Sequence, residues 1–175
     1  MIQVIDKFLE EKELEKIDFL FSETNLPWFF NASSIYAHGD PNAQDDKKFM
    51  FTHMFMFEGK VNSDFYPVIE PIINKLKTII NFNLIYRIKA NLYTNQGKHI
   101  EHTPHQDLNR LGKKYYTAIY FINSNNGKTI IKDIEIPSIK NTLLLFDGDT
   151  DHYGVTQTNT QTRMVININV TNEEH

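Results

Sequence analysis

The chain contains no cysteine. That excludes disulfides, thiolate chemistry and thiolate-bound zinc. Any metal must then be held by imidazole, carboxylate or carbonyl groups. Glycine and proline are sparse, at 7 and 6 in 175 residues, and no repeat or low-complexity linker divides the chain. No apolar run is long enough to span a bilayer. The first residues, MIQVIDKFLEEKELEK, are acidic and lack a basic stretch followed by an apolar one. No signal peptide is expected, and a cytoplasmic location is. Positive charge is also short. The formal net charge of -4 argues against a non-specific nucleic-acid binder, which would normally be basic.

What is present is an ordinary globular composition, 41% hydrophobic and 23% charged. Thirteen Phe and eight Tyr suit aromatic-lined sheets. The length favours one domain over residues 1–175. Its N-terminal part, 1–83, reads as helical and irregular, and 84–171 as the β core. Residues 2–8 can open with a strand, and 10–22 carry a helical stripe of Leu14, Ile17 and Phe21. Residues 31–48 are polar and turn-rich, and 49–57 are apolar enough for a strand. Ser63 is placed to N-cap a second helix, whose apolar face runs from Phe65 through Ile69, Ile72, Ile73 and Leu76 to Ile80. Pro71 should kink that helix or mark its true start.

After residue 84 short β-rich runs follow at 84–93, 100–106, 114–123, 128–136, 142–147, 152–157 and 162–171. Turn signals separate them, among them Asn125-Asn126-Gly127 and Pro137-Ser138. The pattern predicts a mainly β sandwich or barrel preceded by two helices. In the last run Met164, Ile166, Ile168 and Val170 share one face, and Arg163, Val165, Asn167 and Asn169 the other. The first can pack on the helices. The second would line the interior of a jelly roll, and a polar interior needs a reason.

His105-Gln106-Asp107 offers one. On an extended segment residues i and i+2 point the same way, so an imidazole and a carboxylate can bind one ion side by side. His152 in DTDHYG, from a distant strand, would complete a facial triad with open positions opposite. H-x-D alone is weak, and it occurs again at His38-Gly39-Asp40. That copy lies in the polar 31–48 stretch and reads as a solvated turn. The set 105/107/152 gains from Arg163, eleven residues after His152 on the polar face of an apolar strand. An inward Arg calls for an anion, and a carboxylate suits its planar fork. Asp147-x-Asp149-x-Asp151 mimics a calcium loop, but His152 and Thr158 stand where that loop needs Gly and Glu. It reads as a polar turn presenting His152. Arg110, Lys113 and Lys114 follow the metal segment and read as a solvated loop able to meet an acidic substrate.

From about residue 84 to 171 the chain resembles the 2-oxoglutarate/Fe(II) oxygenase superfamily, in its prolyl-4-hydroxylase-like branch. The resemblance rests on HQD at 105–107, YTAIYFIN at 116–123, TLLLFDGDTDHYG at 142–154 and TRMVININV at 162–170. It implies a double-stranded β-helix with N-terminal helices on its major sheet. It implies Fe(II) on His105, Asp107 and His152, with 2-oxoglutarate, O₂ and ascorbate as reductant. Arg163 would pair with the C5 carboxylate of 2-oxoglutarate. Tyr93 resembles the co-substrate tyrosine on the strand before H-x-D, at a slightly longer spacing. Phe121 stands where some relatives carry a second co-substrate tyrosine, and Asn167 is the residue expected to compensate. The implied activity is hydroxylation of an unactivated C–H bond. A prolyl side chain of a protein or peptide is the first expected substrate, and a free amino acid or small metabolite the second. Nucleobase-demethylating relatives carry a second Arg six residues after the first, where this chain has Asn169. Two other classes stay open: a zinc hydrolase or lyase on the same ligands, and a non-catalytic jelly-roll binding module.

Overall fold

The computed structural model describes residues 1–22, 25–32, 48–107 and 114–172. Eleven strands and two helices follow in the order β1 (Ile2–Ile5), α1 (Glu11–Ser22), β2 (Phe29–Asn31), β3 (Met50–Phe57), β4 (Lys60–Val61), α2 (Tyr66–Lys77), β5 (Leu84–Thr94), β6 (Tyr115–Phe121), β7 (Asn125–Ile131), β8 (Ile134–Ser138), β9 (Thr142–Asp147), β10 (His152–Val155) and β11 (Thr162–Thr171). Among the described residues no helix is long and apolar enough to cross a membrane.

The helices form where the apolar period demands them. In α1, Glu11 and Glu13 occupy the first turn, where the helix dipole favours negative charge. Ile17, Leu20 and Phe21 are buried from one stripe. In α2, Ile69, Ile72, Ile73 and Leu76 are buried at helical spacing. The helix begins later than Ser63. Phe65 is its N-cap, and Ser63 Oγ instead accepts from the Phe65 amide at 3.2 Å. Ser63 also donates to His53 Nε2 at 2.7 Å, because His53 Nδ1 already donates to the Pro27 carbonyl. The helix continues through Pro71 and ends at Lys77, so Ile79 and Ile80 pack on the core from beyond its end.

The strands make a large antiparallel sheet in the order β1-β9-β6-β11-β5-β3-β2, with β4 on β3, and a small sheet β10-β7-β8. This is a mainly β jelly roll with two helices. The faces of β11 separate as its alternation predicts. Ile166, Ile168 and Val170 join Ile88, Ala90 and the buried residues of α1 and α2 in one apolar cluster. Val165 joins Ile119, Phe121, Leu144 and Phe146 against Ile131 and Ile136 of the small sheet. Each fully buried Ile or Leu of this kind contributes roughly 1.5–3 kcal/mol.

Three local expectations are corrected. Residues 100–106 make no continuous strand. They run extended beside β10, joined only by isolated bridges Glu101↔Val155 and His105↔His152. The run 128–136 is a hairpin: Lys132 and Asp133 turn it at φ 47° and 66° without a glycine. The Asn125-Asn126-Gly127 signal lies inside β7, at an irregularity between Asn125 and Lys128, and Pro137-Ser138 lie inside β8. The copy His38-Gly39-Asp40, with Arg110 and Lys113, lies outside the described residues.

Candidate metal centre

His105 and His152 face each other across the bridge between the 100–107 segment and β10, with mutual backbone hydrogen bonds of 3.1 Å. Asp107, two residues on, turns to the same side. The ligand atoms of all three lie within 4.8 Å of one another. Asp107 Oδ1 is 3.8 Å from His105 Nε2, and Oδ2 is 3.8 Å from His152 Nε2.

The hydrogen bonds behind the rings fix their tautomers. His105 Nδ1 lies 3.0 Å from the Thr103 carbonyl, and His152 Nδ1 lies 3.2 Å from the Thr150 carbonyl. A carbonyl only accepts, so each Nδ1 carries the hydrogen and each Nε2 presents a lone pair. Two lone pairs and a carboxylate thus converge with no proton between them, an arrangement that a divalent cation completes. The donor set is imidazole and carboxylate, which suits iron, zinc or similar ions.

Asp107 is tightly held. Its side chain is 4% exposed. It accepts from Arg87 Nη2 at 3.0 Å, Asn169 Nδ2 at 3.0 Å and Thr117 Oγ1 at 3.3 Å. Burial pushes its carboxyl pKa up, but Arg87, the two histidines and the Asn169 amide together pull it well below the usual carboxylate range. The group is therefore an anion ready to bind a metal. Burial lowers the His105 pKa, with Asp107 opposing, which keeps its ring neutral for ligation.

The triad opens into a cavity of about 130 Å³. Arg87, Lys89, Asn91 and Tyr93, alternate residues of β5, line its wall, and β5 slips against β11 just before them. From β11 come Arg163, Val165 and Asn167. Arg163 is 3% exposed. Its Nε donates to Ser138 Oγ and its Nη2 to Thr129 Oγ1, both at 2.9 Å, and it pairs with no carboxylate among the described residues. Its Cζ lies 5.5 Å from the Tyr93 ring centroid and 6.0 Å from that of Phe121. Gly127 makes room for it, since a Cβ there would come within 2.8 Å of Arg163 Cδ. Burial raises the Tyr93 pKa, opposed by Arg163 and by a hydrogen bond that its hydroxyl oxygen accepts from the Asn91 amide. Ser138 and Thr129 occupy the positions nearest Arg163. Asn167 lies further along the wall, and its Oδ1 has no partner. Lys114 is exposed and covers the Tyr116 ring at 5.5 Å.

Arg87, Lys89 and Asn91 were not expected from the sequence. The signal was there: R-I-K-A-N-L-Y puts polar residues on every second position of β5. Burial pulls the Lys89 ammonium down to about 8, helped by Arg87 and opposed by Asp107.

No protein-family model matches the sequence, and no curated protein matches it. Solved structures do. A 2OG-Fe(II) oxygenase family oxidoreductase from Burkholderia pseudomallei is similar at TM-score 0.68 and 12% identity, over 97% of this chain and 84% of that one. A prolyl hydroxylase from Trichoplax adhaerens, in complex with a hypoxia inducible factor peptide fragment, gives 0.69 and 13%, over 98% and 83%. A prolyl-4-hydroxylase from Pseudomonas putida gives 0.60 and 10%, over 97% and 92%. The chain therefore has the fold of the 2-oxoglutarate/Fe(II) oxygenases, prolyl hydroxylases among them.

Proposed function

We propose that this protein is an Fe(II)- and 2-oxoglutarate-dependent dioxygenase that hydroxylates an unactivated C–H bond. One observation carries the reading: a two-histidine, one-carboxylate cluster and a buried, carboxylate-free Arg163 share one cavity. His105, Asp107 and His152 would hold the metal through Nε2, carboxylate and Nε2. When bound, Fe(II) with 2-oxoglutarate and O₂ supplies oxidative decarboxylation coupled to hydroxylation, with ascorbate keeping the iron reduced. The chain's own part is orientation and dryness. Thr103 and Thr150 carbonyls aim the imidazoles, and Arg87 and Asn169 keep Asp107 ionised and fixed. Arg163, braced by Ser138 and Thr129, would take the C5 carboxylate, with Tyr93 and Asn167 along the same wall. We treat residues 1–175 as one such domain in the cytoplasm.

A prolyl residue of a protein or peptide is the first substrate in this reading. The peptide-bound prolyl hydroxylase of the same fold supports it. A free amino acid or small acid is the second, favoured by the extra cation Lys89 in the cavity. A zinc hydrolase would have no use for Arg163. The test is succinate formation from 2-oxoglutarate under Fe(II) and O₂, alongside a screen for products heavier by one oxygen. Metal-dependent succinate is expected. Metal binding without any 2-oxoglutarate binding would favour the zinc class, and no metal binding at all would favour a non-catalytic module.

A further inference from the structure

Among the described residues three cations line the cavity, Arg87, Lys89 and Arg163, against one carboxylate, Asp107. Two of the three are engaged. Arg87 is bound to Asp107 and to Asn169 Oδ1, and Arg163 to two hydroxyls. Lys89 makes no hydrogen bond and no ion pair with the described residues. It is partly buried on the inward face of β5. A cation taken out of water without an anion is costly, so a partner is expected to arrive with the ligand.

Position says where that partner sits. In the β5–β11 ladder Tyr93 pairs with Arg163, and Lys89 pairs with Asn167. The two cations are therefore four residues apart, about 14 Å of strand, with long side chains to close the gap. Lys89 stands at the triad end: it is two residues from Arg87 on the same face of β5, and Arg87 and its ladder partner Asn169 both bond Asp107. Arg163 stands at the other end. Around Lys89 the carbonyl oxygens of Asn91 and Asn167 are buried with no partner, so this stretch of wall is completed by a polar ligand. Charge counting agrees. A divalent metal, Arg163 and Lys89 bring four positive charges. The Asp107–Arg87 pair is neutral by itself. A 2-oxoglutarate dianion offsets only two of the four.

We propose that Lys89 is a second carboxylate-binding residue of this cavity, receiving a carboxylate beside the metal triad while Arg163 receives one at the far end. The proposal rests on the oxygenase reading. Two sources share the chemistry: the C1 carboxylate of the 2-oxo acid, and a carboxylate on the substrate itself, as in a free amino acid.

Calorimetry on Mn(II)-loaded protein separates them without turnover. Wild type, Lys89→Met and Lys89→Arg are titrated with 2-oxoglutarate, and their 2-oxoglutarate complexes with acetate. Lys89→Met should weaken one of the two by at least about tenfold, the scale of one charge-assisted hydrogen bond, and Lys89→Arg should largely restore it. Loss of 2-oxoglutarate affinity identifies the C1 carboxylate. Loss of acetate alone identifies the substrate side, and makes an anionic substrate the one to seek. Both affinities unchanged in a Lys89→Met protein of normal melting temperature overturns the proposal. Wild type that fails to bind 2-oxoglutarate sinks the oxygenase reading instead. Lys89 is then judged by acetate binding to the Mn(II) protein, which Lys89→Met must lose.

Discussion

The major sheet presents two faces built from the same strands under opposite rules. Toward the helices, Ile88, Ala90, Ile166, Ile168 and Val170 pack in one apolar cluster and are fully buried. Toward the small sheet, the β6–β9 half is mainly apolar, through Ile119, Phe121, Leu144 and Phe146, but the β5–β11 half holds Arg87, Lys89, Asn91, Arg163, Asn167 and Asn169. The helix face supplies hydrophobic stabilisation. The polar half of the inner face opposes it, with desolvated cations and unpartnered amide oxygens. Such a stretch persists because the packed face behind it fixes the backbone, and under the proposed function a ligand would complete it. Stability and the proposed binding would thus be carried by alternate residues of one strand.

Substitutions on the two faces should therefore separate cleanly. Asp107→Ala should have the largest effect, a loss of metal affinity beyond about a thousandfold, measured by anaerobic Fe(II) binding; near-normal binding would remove Asp107 from the ligand set. On the other face, Ile168→Ala should destabilise the fold by about 2–5 kcal/mol in denaturant melts, with metal affinity of the folded protein unchanged. A matching drop in metal affinity would show that the faces are coupled. Arg163→Met should weaken 2-oxoglutarate by about a hundredfold while metal affinity stays within a few-fold, and equal losses of both would contradict its role. Arg87→Met should cost about 10–100-fold in metal affinity by releasing Asp107, with 2-oxoglutarate binding to the metal-saturated protein little changed.

The smallest expected effect is on pH. The folded pKa of His105 lies below its ordinary value, so the unfolded chain takes up its proton first as pH falls. Metal-free protein should lose a little stability below about pH 6.5, and His105→Gln should flatten that slope. Asp107 acts in the same sense at lower pH. Its depressed folded pKa contributes stability that is full above about 3.9 and lost only as pH falls through the folded value.

The site was partly legible. His105, Asp107, His152 and Arg163 could be named because their chemistry is rare on an apolar strand background, and the fold gathers all four at one cavity. Their supporting residues could not. Arg87, Lys89 and Asn91 share an alternation that the sequence carries, but that this face of β5 lines the cavity, with Arg87 opposite Asn169, depends on its pairing with β11. Gly127, read as a turn, instead leaves space for Arg163. The same limit applied to the fold. Lys132-Asp133 turns a hairpin with positive φ and no glycine, and the 100–107 segment joins the small sheet by bridges rather than as a strand.

By itself the sequence determined the alternation of β11, the helical stripes of α1 and α2, and the chemical types available for ligation. These are local properties: periods of 2 and 3.6 residues and the identities of side chains. Only the tertiary structure decided that His105 and Asp107 meet His152, that Asp107 is held by Arg87 and Asn169, and that Lys89 lines the same cavity with no hydrogen bond or ion pair among the described residues. Those depend on strand register and on which sheet each segment joins, set by long-range pairing such as that between Arg87 and Asn169, 82 positions apart.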